Sequence, residues 1–354
     1  MASDRALPAT RAAAPAWARS ARISVGAGAI AAAVLVLSIG LAVTIGPADI
    51  RFGDVWSSIA SHLGIGATPL STLRDGIVWE LRLPRILTAA AVGAGLAISG
   101  AVMQALTRNA LADPYLLGLS SGASLGAVGV LLLGIGALLP VAAFVGALAA
   151  LVATLALARA AGRITPTRTV LAGIAVSALA SAITSLVIFW TATGDSYREI
   201  LSWLLGSVAG ARWPAVAIAV TALVVIGVPL LLGSRVLDTF GFGDTAAAGL
   251  GVNVQSTRWI LLIATALLTG AMVSVSGSIG FVGLVVPHAV RLVVGSRHRA
   301  LLPLSALVGG VFLIWADTLA RTLFDPRELP VGIVTAIVGA PVFAALLIRR
   351  RSRA

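Results

Sequence analysis

The chain is 354 residues long, 59% apolar and 11% charged, with a mean hydropathy of +1.04, against about 25% charged residues in a soluble domain. It has no cysteine, which excludes disulfides, thiolate metal ligands and a cysteine nucleophile. Its net charge of +12 is carried by 25 basic residues, all arginine; they lie in small groups between apolar blocks, which argues for a membrane protein and against a nucleic-acid binder.

In chain order, residues 1–22 form a tail holding Arg5, Arg11, Arg19 and Arg22. The uncharged block 23–48 that follows is far longer than the 7–15 residues of a signal-peptide core, so it reads as a retained first span. Further stretches free of Asp, Glu and Arg are 86–107, 114–158, 169–194, 213–234, 259–290, 300–316 and 329–348. A span needs roughly 20 apolar residues. Block 114–158 is too long for one helix and should break at Gly134-Ile-Gly-Ala-Leu-Leu-Pro140; block 259–290 should break near Gly277-Ser-Ile-Gly280 and resume to about Val294. The expected fold is therefore an all-α integral membrane bundle of ten helices over 23–348, followed by a short tail, 349–354.

An even number of spans puts both termini on one side. That side collects 17 of the 25 arginines, including Arg349, Arg350, Arg351 and Arg353, so it should be cytoplasmic. The external segment 47–81 contains Ile50, Val55, Trp56, Ile59 and Leu63 near helical spacing, which predicts a short interfacial helix. The apolar run 200–211 is too short to span and reads as interfacial or re-entrant. Small residues crowd the spans, notably Gly93, Gly95, Ser99 and Gly100, Gly122 and Gly126, and Gly309 and Gly310; in lipid, such positions let helix backbones approach closely.

Arg82 and Arg85 flank Pro84 at the external mouth of the second span. Two cations at a helix N-terminus oppose the helix dipole, so each needs a partner: lipid phosphate, Glu80, or the carboxylates of an external protein. The cytoplasmic segment 234–258 should fold as two stubby helices, with Asp244 capping one, Gly249 and Gly251 ending it, and Asn253 capping the next. It is an ordinary long loop or a coupling element seated in a motor. The polar turn Thr107-Arg-Asn-Ala-Leu-Ala-Asp-Pro114, with Thr165-Pro-Thr-Arg168, could frame the inner end of a pathway. Asp317 is an intramembrane carboxylate, and Arg321, one turn on, is its expected partner. His62, His288 and His298 form no metal-ligand spacing, and nothing suggests catalysis. Without lysine there is no P-loop, so an ATP-driven step would need another subunit.

Arg82-Leu-Pro-Arg85, Gly100-Ala-Val-Met-Gln104, Arg108-Asn-Ala-Leu-Ala-Asp-Pro114, Leu116-Leu-Gly-Leu-Ser-Ser-Gly-Ala123, Gly280-Phe-Val-Gly-Leu-Val-Val-Pro-His-Ala-Val-Arg291 and the run 328–343 come in one order. That order resembles the permease subunits of FecCD-type, type II ABC importers for iron-siderophores, haem and cobalamin. The resemblance implies a ten-helix subunit working as a homo- or heterodimer, two ATP-binding subunits that hold ATP and Mg, an external solute-binding protein, and no cofactor in this chain. It implies that Arg82, Arg85 and Arg321 receive glutamates of the binding protein. Asp238, Gly243, Asp244, Gly249, Leu250 and Gly251 would lie in the segment that meets the ATPase. Asn109 and Leu111, with Thr165 and Thr167, would line the gates. Ala110 and Pro166 depart from the family pattern at those gates. The expected cargo is a ferric siderophore, with haem and cobalamin as alternatives. A secondary transporter would need ionisable residues deep in the spans, which are nearly bare of them; a channel would not need the 234–258 knob.

Overall fold

The computed structural model describes residues 16–65, 70–162, 164–191 and 194–351. Residues 1–15 of the expected N-terminal tail, 352–354 of the C-terminal one, and Arg163 lie outside them. Among the described residues every regular element is helical: α1 (Ala16–Thr44), α2 (Phe52–His62), α3 (Thr72–Gly76), α4 (Leu83–Thr107), α5 (Leu119–Leu132), α6 (Leu139–Ala160), α7 (Pro166–Thr191), α8 (Gly194–Leu204), α9 (Trp213–Ala222), α10 (Val228–Leu232), α11 (Ser234–Phe240), α12 (Asp244–Gly249), α13 (Val254–Ser276), α14 (Val282–Val294), α15 (His298–Thr322) and α16 (Val331–Arg351). Seven helical stretches are long and apolar enough to cross a bilayer, and three shorter apolar ones, within α5, α14 and α16, accompany them.

Both expected breaks are present. The chain leaves helix between α5 and α6 around Gly134, and between α13 and α14 around Gly277. The second span differs from expectation, because it does not open at Pro84. It begins at Thr72 and runs without interruption to Thr107, through a π-helical turn at Ile77–Arg82. Proline lacks an N–H and its ring crowds the carbonyl four residues back; widening the preceding turn to i→i+5 bonding removes that conflict. The same device recurs at Leu223–Gly227, two residues before Pro229.

The π turn feeds α4, the centre of the molecule. The most apolar window of Thr72–Thr107 is 83% buried, against 22% for α1 and for α7, which therefore lie at the rim. Lipid gives no hydrophobic drive between helices, so contact depends on backbones approaching closely. A Cβ on Gly93 would lie 2.2 Å from the carbonyl oxygen of Gly309 on α15, and one on Gly122 of α5 would lie 2.4 Å from that of Gly146 on α6. The glycines expected to pack are thus the ones that do.

α2 forms as expected, but its face is set differently. Ile50 and Val55 are buried, whereas Trp56 and Leu63 are 47% and 64% exposed. Rings anchor the far end instead: His62 stacks on Trp79 at 3.9 Å, and Trp79 lies 4.7 Å from Trp213. The run 200–211 is not one element, since α8 ends at Leu204 and the chain continues irregularly to Arg212. Gly206, at φ +78, lets that stretch lie against the Ser278 carbonyl, where any side chain would collide.

Candidate functional site

Arg82, Arg85 and Arg321 come together at the start of α4 and the end of α15, and each is only 7% exposed. Arg85 spends its donors on two carboxylates. Nε and Nη2 make parallel bonds of 2.8 and 2.9 Å to the two oxygens of Asp317, and Nη1 reaches Glu328 at 2.8 Å. Arg82 donates to the last two carbonyls of α1, Val43 at 2.8 Å and Thr44 at 3.3 Å, and to that of Ala48 just past it at 3.0 Å. Arg321 donates to the Ala42 carbonyl, and its buried Nε finds no acceptor among the described residues. One expected pairing is corrected, and one of the partners offered for Arg82 and Arg85 is removed. Asp317 pairs with Arg85 and not Arg321, because it faces α4 while the Arg321 side chain turns to α1. Glu80 is exposed and holds neither arginine.

At the opposite end, α11 and α12 form a compact knob. Phe242 and Leu250 stand out of it, 78% and 66% exposed. Gly243 makes the corner at φ +94, Gly249 closes α12, and Gly251 turns the chain at φ +84. Asn253 caps α13 as expected, accepting from Ser256 N at 3.1 Å. Asp244 does not cap: it opens α12 but its carboxylate is drawn 2.8 Å from Arg258 Nη2, a charged donor stronger than a backbone N–H. Arg258, 5% exposed, also lies over the Phe240 ring at 5.6 Å. Asp238 ties the knob to α15 by accepting from both His298 N (2.9 Å) and His298 Nδ1 (2.7 Å).

Beside the knob, Arg108 ends α4 in the left-handed region (φ 51), and its Nη1 lies 3.1 Å from where a Gly243 side chain would begin. Asn109 Oδ1 accepts from Leu111 N at 3.0 Å, a tight turn of the polar link. Thr165 Oγ1 accepts from Arg168 N at 3.3 Å, so Thr165 caps α7 and Pro166 takes the first helical position, where a missing N–H costs nothing. Thr107 and Pro166 line one small cavity, so the ends of α4 and α7 adjoin; Thr167 is exposed.

Residues 34–349 match the model of the FecCD transport family. The chain belongs to this family. It is 48% identical over 281 residues to the cobalamin import permease BtuC of Halobacterium salinarum, covering 78% of this chain and 75% of the relative. It is 44% identical over 307 residues to the Fe(3+) dicitrate permease FecD of Escherichia coli, covering 83% and 94%. A solved inward-facing metal-chelate type ABC transporter superposes with a TM-score of 0.79 at 31% identity, over 93% of this chain and 99% of that one. The protein is thus a multi-pass ABC importer permease, a transport subunit and not an enzyme.

Several contacts inside the bundle left no readable signal in the sequence. Tyr115, on the single turn Pro114–Leu117, grips the backbone of Ile279 in both directions: its hydroxyl donates to the carbonyl (3.0 Å) and accepts from the N–H (3.2 Å). Ser120 and Ser278 meet at 2.6 Å beside it. Gln104, read only as part of a motif, bonds the Leu284 carbonyl (3.2 Å) and accepts from Arg291 (3.0 Å). A spacing of more than 150 residues hides each of these pairs from inspection.

In the polar link, Asp113 Oδ1 accepts from Tyr115 N at 2.8 Å. Desolvation pushes its carboxyl up to about 6, with the Tyr115 bond pulling the other way. A raised folded-state pKa means the stabilising contribution is complete below the ordinary value of 3.8 and is lost as pH rises through about 6. Asp113→Asn keeps the acceptor and removes the charge. Its melting temperature in detergent should match the wild type near pH 4 and exceed it at pH 7.5; an advantage that is the same at both pH values would rule out this origin.

Proposed function

We propose that this permease moves a ferric chelate of the siderophore class from an external binding protein to the cytoplasm, working as a dimer with two ATP-binding subunits that carry ATP and Mg. In this reading the bundle has ten spans with both termini cytoplasmic. Arg82, Arg85 and Arg321 receive acidic residues of the binding protein, and the knob from Asp238 to Gly251 seats in the ATPase. Asn109 and Leu111, with Thr165 and Thr167, form the inner gates.

One observation carries the reading: cationic side chains cluster at one end of α4 and α15, while at the other end an apolar-tipped knob is strapped to α15 and α13 by Asp238 and Asp244. The exposed Phe242 and Leu250 suit a protein surface better than water. Alternating access requires such a two-ended arrangement, biased by ligands at both ends. Named relatives divide among cobalamin, haem and ferric citrate. The 48% identity to a cobalamin permease makes cobalamin the second reading.

Mass spectrometry of the complex purified through a tag on this chain tests the assembly: two permease copies, two ATPase subunits and a binding protein are expected, and a chain that repeatedly purifies alone would overturn it. Titrating the recovered binding protein with a ferric siderophore, hemin and cyanocobalamin then identifies the cargo. For docking, Arg82→Gln/Arg85→Gln/Asp317→Asn, which leaves no buried carboxylate unpaired, should weaken binding of that protein by about tenfold or more, with the ATPase still co-purifying. Unchanged affinity would remove the docking role.

A further inference from the structure

Arg85 already holds two carboxylates of its own chain, and they are unlike. Asp317 sits on a regular helix, its side chain 2% exposed, and grips the guanidinium with both oxygens. Glu328 makes one bond, its side chain is 46% exposed, and it belongs to the irregular link between α15 and α16. The first is a buried, bidentate pair that leaves a bare charge if broken. The second is half-solvated, and such pairs contribute little net energy because water competes for both partners.

We infer that Glu328 is an internal stand-in for the acidic residue of the binding protein: it occupies Arg85 while the permease is undocked and is exchanged when the partner arrives. The inference rests on the docking reading above. Arg85 is too enclosed to add a third carboxylate without crowding like charges, whereas one-for-one exchange keeps its charge compensated throughout. Glu328 is the carboxylate that can leave, since it has water to go to and one bond to lose.

The position of Glu328 gives the exchange an effect beyond affinity. Leu329 N bonds the Ala320 carbonyl at 3.0 Å, and two residues later α16 begins. Gly332 N donates to the Gly206 carbonyl at 3.2 Å, and a Cβ on Gly332 would fall 1.9 Å from the Leu205 carbonyl oxygen. Releasing Glu328 therefore loosens the segment that sets the start of α16 against the end of α8.

The test uses the tagged complex and the binding protein recovered with it. Glu328→Gln should bind that protein about two- to fivefold tighter, since a competitor worth a surface ion pair has been neutralised. Its affinity should also fall more steeply with salt, because the wild type breaks one ion pair for each it makes. The chain has no cysteine, so a spin label at Phe324→Cys reports the link directly. Label mobility should rise on docking in the wild type, and should already be high in Glu328→Gln without partner. Unchanged or weaker docking by Glu328→Gln, or a label indifferent to the partner, overturns the exchange. Docking that survives Arg85→Gln/Asp317→Asn at full strength, or failure to recover any binding protein, instead overturns the docking reading, and the exchange falls with it.

Discussion

Asp317→Ala lowers the stability of the permease by about 3–5 kcal/mol, the cost of leaving a buried guanidinium without its bidentate partner. Arg85 keeps only the half-solvated Glu328, and Arg82 and Arg321 add unfavourable charge nearby. The companion Arg85→Met/Asp317→Leu should recover most of the loss, because a buried pair replaced by apolar groups of similar volume is often neutral. Thermal unfolding in detergent reads both. A loss under about 1 kcal/mol for Asp317→Ala would mean that water reaches the pair and that Arg85 is less enclosed than its 7% exposure indicates.

Gly100→Val should be the more damaging change. A Cβ at Gly100 would lie 1.9 Å from the carbonyl oxygen of Gly283, so α4 and α14 must separate before any side chain fits. Overpacking typically costs about 1–3 kcal/mol even where neighbours are flexible side chains; here the obstacle is backbone, and the expected outcome is failure to yield folded permease. Gly129→Ala is the control. It also lies within a helix, in the last turn of α5, but meets nothing within 4 Å, and it should be neutral or stabilising by about 0.5–1 kcal/mol. Comparable yields of the two variants would refute direct contact between α4 and α14 at Gly100.

These two variants also mark what could be read from the residues. Gly100 stood in a cluster of small residues, and close packing in lipid follows from that composition, as do the breaks at Gly134 and Gly277 and the cap at Asn253. Asp317 stands out in the sequence as an unusual intramembrane charge, but its partner does not. Helical spacing points to Arg321, while the side chain that answers it comes from 232 residues away. Arg82 was harder still, since its acceptors are backbone carbonyls, which every residue carries and no sequence pattern marks. The bond of Asp238 to His298, 60 residues on, was hidden like the Tyr115 grip on Ile279 by distance along the chain, whereas Asp244 and Arg258 are only 14 residues apart and the glycine turns between them leave no periodic spacing to mark the pair. The family resemblance implied roles for Arg82, Asp238 and Asp244, but it named no contacts for them; those come from the fold.

The π turn at Ile77–Arg82 bears on how this chain is compared with its relatives. It holds one residue more than an α-helix would place in the same rise, so the residues before it are rotated by about 100° around the axis relative to an unbroken helix. The wider turn itself carries Trp79 against His62 and Trp213, and the rotation before it brings Asp75 to the Ser58 hydroxyl on α2, while Arg85 keeps its bearing on Asp317. A relative one residue shorter within this turn, its helix unbroken there, would keep Arg85 in register with Asp317 and turn Asp75 away from α2, so a single-position gap there records a change of turn type.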